Sequence, residues 1–180
     1  MFSIGSFDYL STQGLPYILL AWLGMWLLRS FATLFHEMGH AIVAWLLTSE
    51  KVSVCVGLNS AKPFSVGQRL TIQFTFQKGI QGCTHYYEGR CPVPVRLLVL
   101  LGGPILSLLI ALLSGYLIFS KPNEIWLEIP LVSWFCCNSL AFLRAIIPVR
   151  LKPTDSFPAG PPSDGLQIYH LFFPEKKKLE

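Results

Sequence analysis

Charge is what this chain has least of. Charged residues fill 13% of its 180 positions, where a soluble domain carries roughly 25%, and hydrophobic residues fill 52%. That shortfall excludes an ordinary water-soluble domain. The net charge of +4 sits in a few clusters of Lys and Arg rather than on a basic face, so no nucleic acid is expected as a partner. The first fourteen residues, "MFSIGSFDYLSTQG", hold no Lys or Arg. They lead into an apolar stretch much longer than a signal-peptide core, so the first hydrophobic segment is expected to be retained. A disulfide framework is also missing. The five cysteines are an odd number, and Cys136 and Cys137 are adjacent inside an apolar run, which predicts reduced thiols. "CTHYYEGRC", Cys83 to Cys91 around His85, matches no strong zinc spacing and reads as a loop. No internal repeat is present, and the one biased tract, "LKPTDSFPAGPPSDG" over 151–165, reads as a Pro-rich irregular loop.

Long apolar runs, by contrast, are abundant. They predict a mainly α-helical polytopic membrane protein with about three core crossings, over 15–48, 93–119 and 125–149. Each is long enough for a hydrocarbon core of ~30 Å, which needs about 20 helical residues. The first exceeds one crossing, so a tilted helix, a break near Arg29 and an interfacial early part all fit it. Between the first two crossings, 51–80 holds the alternating "RLTIQFTF" bounded by Gly, Pro, Asn and Ser, which predicts short strands and a hairpin. A C-terminal segment, 165–180, follows the Pro-rich loop.

Lys51, Lys62, Lys78, Arg69, Arg90 and Arg96 fall between or at the edge of the first two crossings, and Arg150, Lys152 and Lys176 to Lys178 fall after the third. By the positive-inside rule this places the C-terminus in the cytoplasm of a plasma or inner membrane, with the small sheet on the same side.

One apolar run contains the exception to the shortage of polar groups. In "HEMGH", His36 and His40 are four residues apart, so on a helix they lie about 40° apart around the axis and about 6 Å along it. Two imidazoles so placed converge on one ion. Glu37 lies beside that point, where a carboxylate can take a proton from a metal-activated water and return it to a leaving amine. Zinc peptidases use this arrangement. Without a metal, two imidazoles and a carboxylate would lie partnerless in a membrane helix, at a cost of several kcal/mol.

A catalytic zinc takes three protein ligands and leaves one position to water. For the third, His85, His170, Glu88, Glu124, Glu128, Asp155 and Asp164 are the available groups. The charge pattern puts Glu124 and Glu128 at the far surface and leaves Asp155 and Asp164 at the right depth.

"HEMGHAIVA" on one membrane helix, "GGPILS" (Gly102 to Ser107) on the next and "PPSDG" (Pro161 to Gly165) after a third resemble, in order and spacing, the site-2 protease family of intramembrane zinc metalloproteases. The resemblance implies a minimal member without PDZ or CBS domain. It implies that Asp164 completes the Zn²⁺ ligand set of His36 and His40, with Glu37 as catalytic base; Asp155, at the same depth, stays in reserve because the chain departs from the family pattern before Asp164. Gly103, Pro104 and Ser107 map to a segment that packs beside the active site. The sheet, Lys51 to Phe76 here, would align substrate as an added strand. Family members commonly carry Asn-x-x-Pro before the Asp-Gly; here Ala145 stands where the Asn would be, in "AIIP". Asn138, on the third crossing, can equally bond substrate backbone or a neighbouring helix; the other reading of Asp164, as the cap of a helix over "GLQIYHLF", stands behind its reading as a ligand.

The function expected is endopeptidase cleavage in or next to a transmembrane segment of a membrane-protein substrate. The partners are that substrate, the lipid bilayer and, for regulation, a separate protein. Two other readings stand beside it: a non-catalytic protease-like scaffold, and a membrane metalloprotease whose third ligand is a distant glutamate, Glu88 or Glu124.

Overall fold

A computed structural model describes residues 15–57, 62–76, 81–120, 125–153 and 158–174. The first helix, α1 (Leu15–Leu47), is continuous through Arg29 and Ser30; at 1.5 Å per residue it is about 50 Å long. The helices α2 (Val93–Ser120) and α3 (Ile125–Ile146) follow. All three are long and apolar enough to cross a membrane. Their outer faces carry exposed Trp22, Trp26, Leu109, Leu112 and Trp126, which lipid rather than water would cover.

Small residues form the inner faces. Ser30, Ala32, Gly39, Ala41 and Ala44 are buried on α1, and Gly102, Gly103, Ser107, Ala111, Ser114 and Gly115 on α2. In lipid no hydrophobic force drives helices together, so close backbone approach and hydrogen bonds must. Gly39 and Gly102 meet with no room for a Cβ on either. Ser133 Oγ lies 3.1 Å from Ala21 O and Cys137 Sγ 3.4 Å from Met25 O. Both partners advance by four residues, so α1 and α3 run parallel, with α2 antiparallel to them. The third helix ends at Ile146 rather than at Val149, because Pro148 disfavours helical geometry in the residue before it.

Four strands form one sheet in the order β2-β3-β1-β4: β1 (Val52–Val56), β2 (Phe64–Val66), β3 (Leu70–Phe74) and β4 (Gly82–His85). The first pairs in parallel with β3 and antiparallel with β4, and β2 and β3 form a hairpin. Gly67 turns that hairpin at φ 65°, where a side chain would be strained. Val52, Val54 and Val56 are at most 1% exposed and pack with Ala41 and Ala44 of α1 and Val99 of α2. Arg69 ties the hairpin to the end of α1, donating to the carbonyls of Trp45 (3.1 Å), Thr48 and Glu50 (3.3 Å), where a cation suits the helix dipole.

The sheet extends beyond the 51–80 region expected for it. The stretch expected as a loop around Cys83 and His85 is the edge strand β4, followed by a 3-10 turn at Glu88–Arg90.

A last helix, α4 (Asp164–Phe172), begins inside the region read as Pro-rich loop and is capped by Ser163, whose Oγ accepts from Leu166 N. Ser163 also donates to Ile147 O at 2.6 Å, and its N–H bonds Val149 O at 3.0 Å. This pins the start of α4 to the end of α3. Gly165 lies against Ile146 O with no space for a side chain.

Candidate metal centre

His36 and His40 project from α1 toward α2, and Asp164 arrives from the first turn of α4. His36 Nε2 is 3.1 Å from Asp164 Oδ2, His40 Nε2 is 3.4 Å from the same oxygen, and the two Nε2 atoms are 3.3 Å apart. Ligands on a tetrahedral ion at 2.0 to 2.1 Å lie about 3.3 Å from one another. The triangle therefore has the dimensions a zinc ion requires. Among the described residues it is the one group of three such donors close enough to share an ion.

Backbone and side chains behind the histidines fix which nitrogen faces the triangle. His40 Nδ1 is 2.7 Å from Val99 O, so it carries the proton and donates it. The Gly103 N–H, 3.4 Å away, cannot use the same nitrogen as acceptor and is the weaker contact. His36 Nδ1 lies 3.0 Å from Ser107 Oγ. With Nδ1 engaged on both rings, it is Nε2 of each that faces the shared position, where a metal ion would take the place of an Nε2 proton, the orientation outer partners impose in metal sites. For Asp164, burial resists the charge, but the bonds and positive charge offered by His36 and His40 outweigh it and hold the carboxyl down at about 2. Asp164 thus presents a carboxylate.

The "GGPILS" segment packs directly on this centre. Gly103 lies under the His40 ring so closely that a Cβ would clash with Nε2, Cδ2 and Cε1; Pro104 and Ser107 are fully buried. Asn138 stands elsewhere. It donates to Trp134 O at 2.9 Å within its own helix. Its neighbour Cys137 contacts Met25, so by the parallel register it lies about 15 Å short of His36 along the helix axis.

Of the other third-ligand candidates, Glu88 pairs with Arg96 at 3.2 Å, and Glu128 begins α3, about 30 Å along the axis from His36. His85 contacts Cys83 Sγ at 3.3 Å. Both lie on the exposed face of their strand, away from the shared position of the histidine pair. Glu124 and Asp155 lie outside the described residues. The helix cap is Ser163, which leaves the Asp164 carboxylate free for the cluster.

Two contributors escape a reading of the sequence: the Val99 carbonyl, which no side-chain pattern reports, and β4, whose Thr84 donates to Glu37 Oε2 at 2.7 Å. The alternation in "GCTH" is the one signal that could have revealed the strand.

The Ser107 contact gives a direct test of the outer partners. Ser107→Ala should weaken zinc binding about 10- to 100-fold, the usual effect of losing an outer partner, as read by competition with a chromophoric chelator. Unchanged affinity would mean that Ser107 only packs.

A family model described as Peptidase M50B-like matches residues 15–151, ending before Asp164. No curated protein and no solved structure matches the chain.

Proposed function

The chain belongs to the Peptidase M50B-like family, which is the site-2 protease family, and from that premise we propose that it is a zinc-dependent intramembrane endopeptidase. The observation that carries the reading is the convergence of His36 Nε2, His40 Nε2 and Asp164 Oδ2 within bonding range of one ion, with Glu37 next to them on the helix. Zinc held there would supply Lewis-acid polarisation of a water and of the scissile carbonyl. Glu37 takes the proton that water gives up and passes it to the departing amine, so one carboxylate serves both halves of the hydrolysis. Val99 holds the His40 imidazole with its proton on Nδ1, and Ser107 fixes the orientation of the His36 ring.

The substrate is a transmembrane segment of another protein. In a helix its carbonyls are bonded internally, so the segment must unwind before it reaches the centre. The edge of the sheet nearest Glu37 is β4, which pairs with β1 on one side. An unwound segment adding to its other side would gain main-chain hydrogen bonds in place of those it lost. The distribution of Lys and Arg favours a C-terminus in the cytoplasm, with the centre near that surface of the membrane.

Chelation tests the metal requirement. Purified protein treated with 1,10-phenanthroline should lose cleavage of a quenched peptide containing one transmembrane segment, and added Zn²⁺ should restore it. Full activity in protein shown to be metal-free would refute the proposal.

A further inference from the structure

Glu37 has neighbours that the metal cluster does not account for. The residue is 8% exposed, and a buried carboxylate must find partners or pay for desolvation. They come from β4. Thr84 Oγ1 lies 2.7 Å from Glu37 Oε2 and 3.1 Å from the Glu37 carbonyl oxygen. A hydroxyl has one proton to give, and the shorter bond to the charged acceptor takes it. Two residues earlier, Gly82 comes so close that a Cβ there would fall 2.5 Å from Glu37 Oε1, 2.6 Å from its Cγ and 2.7 Å from Thr33 Cγ2. Alternation along the strand turns Gly82 and Thr84 toward α1, while Cys83 and His85 face the exposed side.

We infer that Thr84 is a positioning residue for the proton carrier: its hydroxyl fixes the Glu37 carboxylate through Oε2, and Gly82 leaves the space that keeps Oε1 open to take and return the proton. The inference rests on the reading of Glu37 given above. A glutamate side chain has three rotatable bonds, and neither His36 nor His40 bonds its carboxylate. Without Thr84 it would spread over several rotamers, and a displacement near 1 Å at a reacting group can cost about 100-fold in rate. The purely structural alternative is that Thr84 only fastens β4 to α1, which its contact with the Glu37 carbonyl would do. The two roles differ in what they require of the Glu37 side chain.

The test uses the full zinc-loaded chain in phosphatidylcholine vesicles, with a fluorescence-quenched peptide bearing one transmembrane segment as the probe. Thr84→Val should keep its zinc and hold KM within about twofold while kcat falls about 10- to 100-fold. Thr84→Ser, which restores the hydroxyl, should recover most of that loss. Adding Thr84→Val to Glu37→Gln should slow the residual reaction no further, because the hydroxyl acts through the carboxylate. Parental kcat in Thr84→Val, a serine variant as slow as the valine one, zinc loss matching the rate loss, or full additivity with Glu37→Gln would each overturn the inference. If Thr84→Val does not fold, Gly82→Ala reads the same clamp from Oε1: kcat should drop with zinc and KM held, and parental kcat overturns the inference. Cleavage by Glu37→Gln at the parental rate defeats the reading of Glu37 as proton carrier and this inference with it, and no cleavage by the parent defeats the protease reading and this inference together. A silent Thr84→Val beside an inactive Glu37→Gln defeats the inference alone.

Discussion

Glu37→Gln should leave about one Zn²⁺ per chain in place and reduce cleavage by about 10²- to 10⁴-fold, the range general acid-base catalysis contributes. The structure gives each half of that expectation its reason. The three donors that converge are His36, His40 and Asp164, while the Glu37 carboxylate turns instead to Thr84. Removing its charge therefore takes no ligand from the metal. A glutamine matches the shape, still offers an oxygen to Thr84 and so preserves the packing of α1 against β4. It cannot accept a proton at neutral pH. Metal analysis and rate measurements on the same preparation check both halves. Zinc lost with the substitution would make Glu37 a ligand, and an undiminished rate would place the chemistry on another group.

How much of this arrangement could be read from the residues depends on how local the cause is. The crossings were legible because composition alone makes them: hydrocarbon-compatible runs of more than 20 residues have few other folds available. The pairing of His36 with His40 was legible because helical periodicity is enough to bring them together. Asp164 is 128 positions from His36, and no periodicity links them; the charge pattern leaves it level with Asp155, and only the resemblance separates the two. The structure supplies the local reason, since Ser163 bonds the carbonyl of Ile147 and so anchors α4 to the end of α3. The strand β4 was missed because it is four residues long and lacks the apolar face by which strands are recognised. Its inward positions are Gly82 and Thr84, which lie against Glu37 rather than in an apolar core. Its pairing partner β1 is also distant in sequence. Hydropathy, which continues through Ile147 and Val149, carries the expected end of α3 three residues beyond Ile146, whereas Pro148 stops the helix on steric grounds.

Asp164→Ala should cost more zinc affinity than the roughly 10- to 100-fold expected from an outer partner, and should abolish cleavage. Its carboxylate is the one anionic group among the three donors, at 3.1 Å and 3.4 Å from the two imidazole nitrogens. Without it two neutral histidines four residues apart on one helix would have to hold a dication alone. Two comparisons separate this role from its rivals. Ser163→Ala removes the residue that caps α4, a loss that typically costs about 1 kcal/mol of stability. It should therefore lower the thermal midpoint while keeping zinc, whereas Asp164→Ala should lose zinc. Asp155→Ala should do neither, because the donor triangle is complete without it. Zinc retained in Asp164→Ala but lost in Asp155→Ala would transfer the third ligand to Asp155. Zinc retained in both variants would leave the glutamate alternative, and substitution of Glu88 and Glu124 in turn would then identify the group that binds.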